Sequence, residues 1–374
     1  MFRFIHSSDL HIRKRFGSMP EELRGRLRDA RHTVLDRLAA QARAGGAGTI
    51  LLAGDCFDTE TPRPAILRQA LAAMAGHAPL RWIILPGNHD SLLADELWVA
   101  ARNALPANVM LAVEPDPIEL EPGVVLLPAP CTTRRPGRDL TDWMDQAATP
   151  DGALRIGLAH GAIQSFSEDG VGLDIIAPDR ASRSGLDYLA LGDWHGQMRL
   201  NARSWYSGAP EPDRFKHDGP GRALLVSLTG PGAVPDVVPV ETGSFDWRTL
   251  PLELLSGDDA ATVLTERLPA GSVRRQSLLR VVASGRLRPQ ARAGLDAAVA
   301  AVAPEFAHLV LETEGLATDC ESGDLDAIDR AGALRHAADR LLAESVDESR
   351  AAGERQTARD ALVRLFSYCE AMPS

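Results

Sequence analysis

The sequence predicts a layered α/β fold for the first two-thirds of the chain, with helices packed outside the sheet. Two features predict it. Short apolar runs recur at residues 2–5, 49–53, 81–85, 124–127, 155–159 and 188–191, and each reads as a buried strand. Helical patterns fill gaps between them. Leu27, Ala30, Val34 and Leu38 share one face at spacings of three and four. A second helix is predicted from Pro64, a residue suited to a first turn, to about His77. The character changes after about Gly243. A strand-like stretch at 247–252 leads to a helix from about Asp258, then a strand at 277–283. Leu295, Ala298, Val299 and Val302 make a helix face, and 307–312 reads as another strand. The tail carries two apolar helical stripes, Leu334, Ala337, Ala338, Leu341, Leu342 and then Ala358, Ala361, Leu362, Leu365, Phe366, Cys369, with a break near Gly353. The expected domains are residues 1–242, a catalytic α/β domain, residues 243–318, a small α+β unit, and residues 319–374, a helical extension.

Composition narrows the class. A chain of 374 residues exceeds one ordinary core. With 45% apolar and 24% charged residues it reads as an ordinary globular protein. No uninterrupted apolar run approaches the ~18 residues of a membrane span. Residues 1–5 read as a first strand, being too short an apolar run for a signal peptide. Cys56, Cys131, Cys320 and Cys369 are scattered without a paired spacing, which predicts reduced thiols and a cytoplasmic location. The net charge of −11 counts against a nucleic-acid binder. A carboxylate-rich metal site accounts for part of that charge, and two divalent ions would restore about four positive charges where a phosphate docks. Local positive charge is present at Arg13, Lys14 and Arg15, and at Arg24, Arg26, Arg28 and Arg31 on the following helix.

Five short segments hold most of the chemically informative polar residues. They are Asp9-Leu10-His11, Gly54-Asp55-Cys56-Phe57-Asp58, Gly87-Asn88-His89-Asp90, His160-Gly161 and Gly192-Asp193-Trp194-His195. Each follows an apolar strand pattern directly. The carboxyl ends of strands in an α/β sheet share one edge, so these residues should converge in space. Carboxylate and imidazole donors together suit Mn, Fe or Zn. A carboxylate can bridge two cations, and the neighbouring glycines permit tight turns. Two cations about 3.5–4 Å apart can activate water, hold a phosphoryl oxygen and neutralise transition-state charge. A lone Asp-x-His or GDxxD is an ordinary turn, whereas five such segments in order are not. His6, His32, His77, His217, His308 and His336 lack this context and read as structural or surface residues, His6 being the nearest to the site.

The run DxH, GDxxD, GNHD, a solitary His and GHxH resembles the calcineurin-like metallophosphoesterase superfamily over about residues 1–240. Within it, Ser7-Ser8-Asp9-Leu10-His11, Leu52-Ala53-Gly54-Asp55-Cys56-Phe57-Asp58 and Tyr206-Ser207-Gly208-Ala209-Pro210-Glu211 are similar to the SbcD-type DNA repair exonucleases. The resemblance implies a four-layer core, two packed β-sheets flanked by helices, with a small α+β cap and a helical C-terminal extension. It implies that Asp9, His11 and His195 hold one metal, that Asn88 and His160 hold the other, and that Asp55 bridges them. His89 would protonate the leaving oxygen, while Asp58 and Asp90 orient their neighbours. The chain departs from GHxH at Asp193, where the family has histidine. An aspartate there can ligate the second metal and shift preference toward Mn or Mg, or turn away and weaken that site. The implied reaction is phosphodiester hydrolysis by a metal-activated hydroxide, with DNA the favoured substrate and Mn the favoured ion over Mg, Fe or Zn. Arg13, Lys14, Arg15 and Arg203 are candidate substrate contacts. The expected partners are DNA and an SbcC-like coiled-coil ATPase docked on the C-terminal helices through Leu362, Leu365 and Phe366. A homodimer is allowed for and no membrane partner is expected. The rival readings are a nucleotide or small-molecule phosphodiesterase or phosphatase on the same core, and a non-catalytic scaffold.

Overall fold

The computed structural model describes residues 1–163, 175–318 and 332–371, with side chains to residue 365. The described chain forms two compact units, Met1–Asp246 and one from Trp247 onward.

The first unit opens with β1 (Phe2–Ser7), α1 (Glu21–Ala44), β2 (Thr49–Leu52), α2 (Pro64–Ala75), β3 (Arg81–Ile84), α3 (Asp95–Asn103) and β4 (Val109–Leu111). The run β1 to β4 is parallel throughout. Its crossovers are helical because parallel neighbours cannot be joined by a tight turn. α1 forms where the expected stripe lies. Leu27, Val34 and Leu38 are buried on it, Glu21 and Glu22 open its first turn and Arg43 closes its last. A fully buried Leu or Val stabilises by about 1.5–3 kcal/mol, so this stripe outweighs the weak preferences of the solvent face. α2 starts at Pro64 as expected and stops at Ala75, where Gly76 caps it.

A second sheet follows from β5 (Ile118–Glu121), β6 (Val124–Ala129), β7 (Leu154–His160), the short pair β8 (Ala162–Ile163) and β9 (Ile175–Ile176), α4 (Arg180–Arg183), β10 (Tyr188–Gly192), β11 (Met198–Arg199) and β12 (Ser204–Tyr206). Its order is β11-β12-β10-β7-β6-β5, without the β8–β9 pair. The chain then returns through β13 (Gly219–Leu228) and the start of β14 (Asp236–Leu254) to the first sheet, whose order in this unit is β14-β13-β1-β2-β3-β4. β13 runs antiparallel to β1, with Phe4 opposite Val226.

Three apolar clusters define the layers. Phe4, Leu51 and Ile83 of the first sheet meet Leu126, Ile156, Leu158 and Tyr188 of the second. Val34, Leu38, Leu67 and Trp98 cover the other face of the first sheet. Met144, Ala181 and Leu186 cover the other face of the second. The result is the expected arrangement of two large sheets flanked by helices. Arg180 is buried there and paired with Asp139, Asp142 and Asp145, which fixes this outer layer.

The second unit contains the end of β14, α5 (Ala260–Arg267), α6 (Gly271–Arg274), β15 (Ser277–Leu287), α7 (Pro289–Val302), β16 (His308–Thr318), α8 (Ala333–Val346) and α9 (Ala352–Ala371). Asp259 caps α5 by accepting the Thr262 N–H. β15 and β16 are parallel, joined through α7. α9 packs on α7 and α8, and Leu362 is buried against Ala338, Leu341 and Leu342. Leu362 is therefore occupied inside its own chain. Cys320 and the side chains of Phe366 and Cys369 lie outside the described residues. No helix among the described residues is long and apolar enough to cross a membrane.

Candidate metal centre

The loops that follow β1 and β2 leave the sheet side by side. The Asp9 N–H donates to the Gly54 carbonyl, His11 to Asp55 and Ile12 to Cys56, so pairing continues past the strand ends. Four candidate ligands sit here in left-handed backbone, with φ of 55° at Asp9, 40° at His11, 54° at Asp55 and 102° at Asp193. Such conformations cost about 1–3 kcal/mol each and gather where function requires them. Two glycines let the loops converge. Gly54 has φ +88°, and a Cβ there would lie 2.5 Å or less from two His160 ring atoms. A Cβ at Gly87 would lie 2.1 Å from Asp55 Oδ1.

The donor atoms fall into overlapping groups. Those of Asp9, His11 and His195 lie within 4.8 Å of one another, as do those of Asp9, Asp55 and His160 and those of His11, Asp58 and His89. His11 Nε2 and His195 Nε2 face each other at 3.3 Å. Two nitrogens held by one cation at about 2.1 Å with tetrahedral angles are separated by about that distance. Asp55 reaches both sides, with Oδ2 3.6 Å from His11 Nε2 and Oδ1 3.5 Å from His160 Nε2.

His160 and His195 are each fixed by their other nitrogen. His160 Nδ1 pairs with the Ala53 carbonyl at 2.8 Å, which aims Nε2 at the carboxylates. His195 Nδ1 pairs with Asp213 Oδ1 at 3.1 Å. Burial lowers the His160 pKa, but Asp55, Asp9 and Asp193 outweigh it and raise the pKa to about 9. Burial pushes the Asp55 carboxyl up, and Asp90 and Asp9 add to that. For His89, burial is the main cause of a lowered pKa, and Arg134 contributes.

Folding has thus drawn carboxylates together with too little positive charge to balance them, and that arrangement suits cations. A direct sign of fit is that buried His160 Nε2, which faces Asp55, has no hydrogen-bond partner among the described residues. The donor set fits divalent metals.

Comparison with known proteins decides the family. The sequence model described as calcineurin-like phosphoesterase matches residues 2–226. The chain belongs to that family. It is a metal-dependent phosphoester hydrolase of the calcineurin-like kind, with His/Asp groups placed to hold divalent metal. No curated protein matches the chain. Among solved structures, TT1561 of Thermus thermophilus is 11% identical, with a TM-score of 0.42, covering 64% of this chain and 99% of that one. A second solved structure is also 11% identical, with a TM-score of 0.43 and coverage of 64% and 98%.

The calcineurin-like site brings together Asp9, His11, Asp55, Asp58, Asn88, His89, His160, Asp193 and His195. Asp193 does not turn away. Its Oδ1 accepts the Asn88 Nδ2–H at 2.8 Å and lies 3.8 Å from His160 Nε2. Asp90 stays out of the cluster and ties two loops together, accepting the Gly87 N–H at 2.7 Å and the Phe57 N–H at 3.0 Å. His6 is structural. It bonds Tyr188 Oη and the Leu191 carbonyl, and burial pushes its pKa down to about 3.

The substrate-contact expectation needs correction at Arg203. This residue pairs with Asp187 and the Gly232 and Ala233 carbonyls, next to the amino end of β12. The metal groups lie at the carboxyl ends of the strands, so Arg203 is at the wrong edge. Lys14 is engaged by Asp213 at 2.6 Å, while Arg13 and Arg15 are exposed.

Three supporting residues are not marked as part of the site by the sequence, although Glu211 ends one of the family-like segments. Asp213 orients His195. Arg31, which reads as one of several helix-surface arginines, is fully buried and donates to the carbonyls of Asp9, Leu10 and Glu211. Glu211 is buried too, accepting from Arg37 and from the Ser244 and Phe245 N–H groups.

Proposed function

We propose that the protein is a phosphodiesterase acting on DNA, a nuclease of the SbcD type. The observation that carries this reading is the place of His89 beside the donor groups. Its ring lies edge-on to His11 at 4.8 Å, its backbone N–H donates to Asp55 Oδ1 at 2.9 Å, and ring Nδ1 faces the Asp58 carbonyl at 3.4 Å. A nucleoside alkoxide is a poor leaving group, so hydrolysis of a DNA diester gains from a positioned proton donor. In this reading Asp9, His11 and His195 would hold one cation, Asn88 and His160 the other with Asp193 beside them, and Asp55 would serve both. Bound divalent cations supply an activated water and charge neutralisation at phosphorus. His89 supplies the proton to the leaving oxygen. Asp58 and Asp90 keep the loops in register, and exposed Arg13 and Arg15 meet the strand. The carboxylate of Asp193 adds a hard oxygen donor where the family has a nitrogen, which favours Mn or Mg. An SbcC-like ATPase would use faces of α8 and α9 other than Leu362.

Asp193→Ala is expected to weaken one of two Mn²⁺ affinities by about 10–100-fold, because Asn88 loses its anchor, and Asp193→His should retain both ions. Titration calorimetry reads this, and two unchanged affinities in the alanine variant would remove Asp193 from the site. The function itself is tested by stripping the protein of metal, restoring Mn²⁺, and assaying bis-p-nitrophenyl phosphate beside linear double-stranded DNA. Metal-dependent cleavage of both is expected. Cleavage of the small diester alone would point to a nucleotide or small-molecule phosphodiesterase, and inactivity on both would overturn the reading.

A further inference from the structure

A cavity of about 360 Å³ adjoins the metal centre within the first unit. That volume falls in the range of about 300–1,000 Å³ usual for small-molecule sites. It shares His195 with the group of Asp9 and His11, and its walls come from Gly196, Gln197, Ser207–Ala209 and residues 212–214 and 216–222.

The chemistry of its walls is mixed in a particular way. Arg214, Lys216 and Arg222 contribute permanent positive charge in a chain whose net charge is −11. Of the two carboxylates lining it, Asp213 is engaged by His195, Lys14 and Arg214, the last at 3.1 Å. One side is formed by the His217 ring, which packs on Trp194. The Lys216 ammonium lies 4.9 Å from the centre of the Trp194 ring, and the His217 ring meets Trp194 edge-on, also at 4.9 Å. Gly196 makes that side possible, because a Cβ there would lie 2.7 Å from His217 Nδ1 and 2.9 Å from Trp194 Nε1. Lys14 and Lys216 are the only lysines in the chain, and both lie around Asp213. A lysine ammonium is a compact point charge suited to phosphate.

A ligand that uses all of this carries an anionic phosphate and a flat aromatic ring, one short step from the metal centre. We propose that this cavity receives the nucleoside attached to the phosphate undergoing hydrolysis, its base lying against His217 and its sugar–phosphate backbone against Lys216 and Arg214. The proposal rests on the phosphodiesterase reading. Stacking a base on such a ring and placing a cation beside it are each worth enough to change affinity about tenfold.

Two measurements on the full-length, Mn-loaded protein test it. The first is lysine acetylation read by mass spectrometry, with dAMP as probe. Lys216 is exposed and lines the cavity, whereas Lys14 is not among its lining residues, so Lys216 is the informative site. Saturating dAMP should slow Lys216 acetylation several-fold and leave Lys14 unaffected. Protection by a short single-stranded oligonucleotide as well assigns the site to a polymer end. Protection by dAMP alone assigns it to a nucleotide-sized diester.

The second compares KM for thymidine 5′-(p-nitrophenyl phosphate) and methyl p-nitrophenyl phosphate. Lys216→Met and His217→Ala should raise the first KM about tenfold relative to the second. Unchanged acetylation together with an unchanged KM ratio overturns the proposal while leaving the phosphodiesterase reading intact. Failure of the unaltered enzyme to hydrolyse either diester overturns that reading instead, and dAMP protection of Lys216 then still reports whether the cavity binds a nucleotide.

Discussion

Replacing His89 with glutamine is expected to lower diester hydrolysis by about 10²–10⁴-fold, equivalent to about 3–5 kcal/mol of transition-state stabilisation, with metal content unchanged. Glutamine keeps the approximate size of the ring and the backbone N–H that donates to Asp55 Oδ1. It cannot deliver a proton to an alkoxide. The loss should therefore fall on kcat more than on KM, and should shrink for diesters with a good leaving group such as p-nitrophenolate. The competing role is concrete, since His11, Asp58 and His89 also form a group able to hold a cation. Metal analysis of the purified variant separates the two. Loss of one ion per chain would make His89 a ligand and leave the proton donor unassigned.

The parts of this molecule most legible in the sequence are those where one requirement dominates. β1, β2, β3, β7 and β10 are apolar runs because they are covered on both faces, and α1 shows its stripe because only one side is buried. β13 and the first part of β14 were not legible. β13 lies between β14 and β1 but opens with Gly219, Pro220 and Gly221, and the first part of β14 is mostly exposed or half-buried and includes Pro239, so both beginnings resemble loop sequence. α3 is short, at nine residues, with three buried on it. The same division holds at the site. His and Asp beside Gly at strand ends have few structural uses, so the five segments stand out. Asp213, Arg31 and Glu211 act by pairing with groups distant in sequence, and nothing local distinguishes them from surface charge. Arg203 shows the converse error. Its charge was visible, but not the strand end it occupies.

Asp55→Asn is expected to be the most damaging single substitution among the donors. Asp55 presents one oxygen toward His11 and the other toward His160, at 3.6 and 3.5 Å, so a single side chain serves both halves of the centre. An asparagine keeps the shape but replaces one oxygen with an N–H₂ group that repels cations and removes the charge from the other. The chain has no slack to compensate, because Asp55 is held in left-handed backbone and Gly87 packs directly on its carboxylate. Metal content should fall from two ions per chain to fewer than one, and activity by on the order of 10⁴-fold or more, about 5 kcal/mol. Stability of the metal-free protein should move the other way. Burial first, then Asp90 and Asp9, raise the Asp55 pKa above its unfolded value. A carboxyl raised in this way costs stability once the pH exceeds the unfolded pKa, so at neutral pH the neutral amide is the better-tolerated group. Metal-free Asp55→Asn should therefore unfold at a higher temperature than the metal-free parent, and the order should reverse when Mn²⁺ is added, since ions bound only by the folded parent stabilise it by mass action. Thermal unfolding of both proteins with and without Mn²⁺ reads the crossing. Retention of two ions by the variant, with no reversal, would show that Asp55 does not join the two halves.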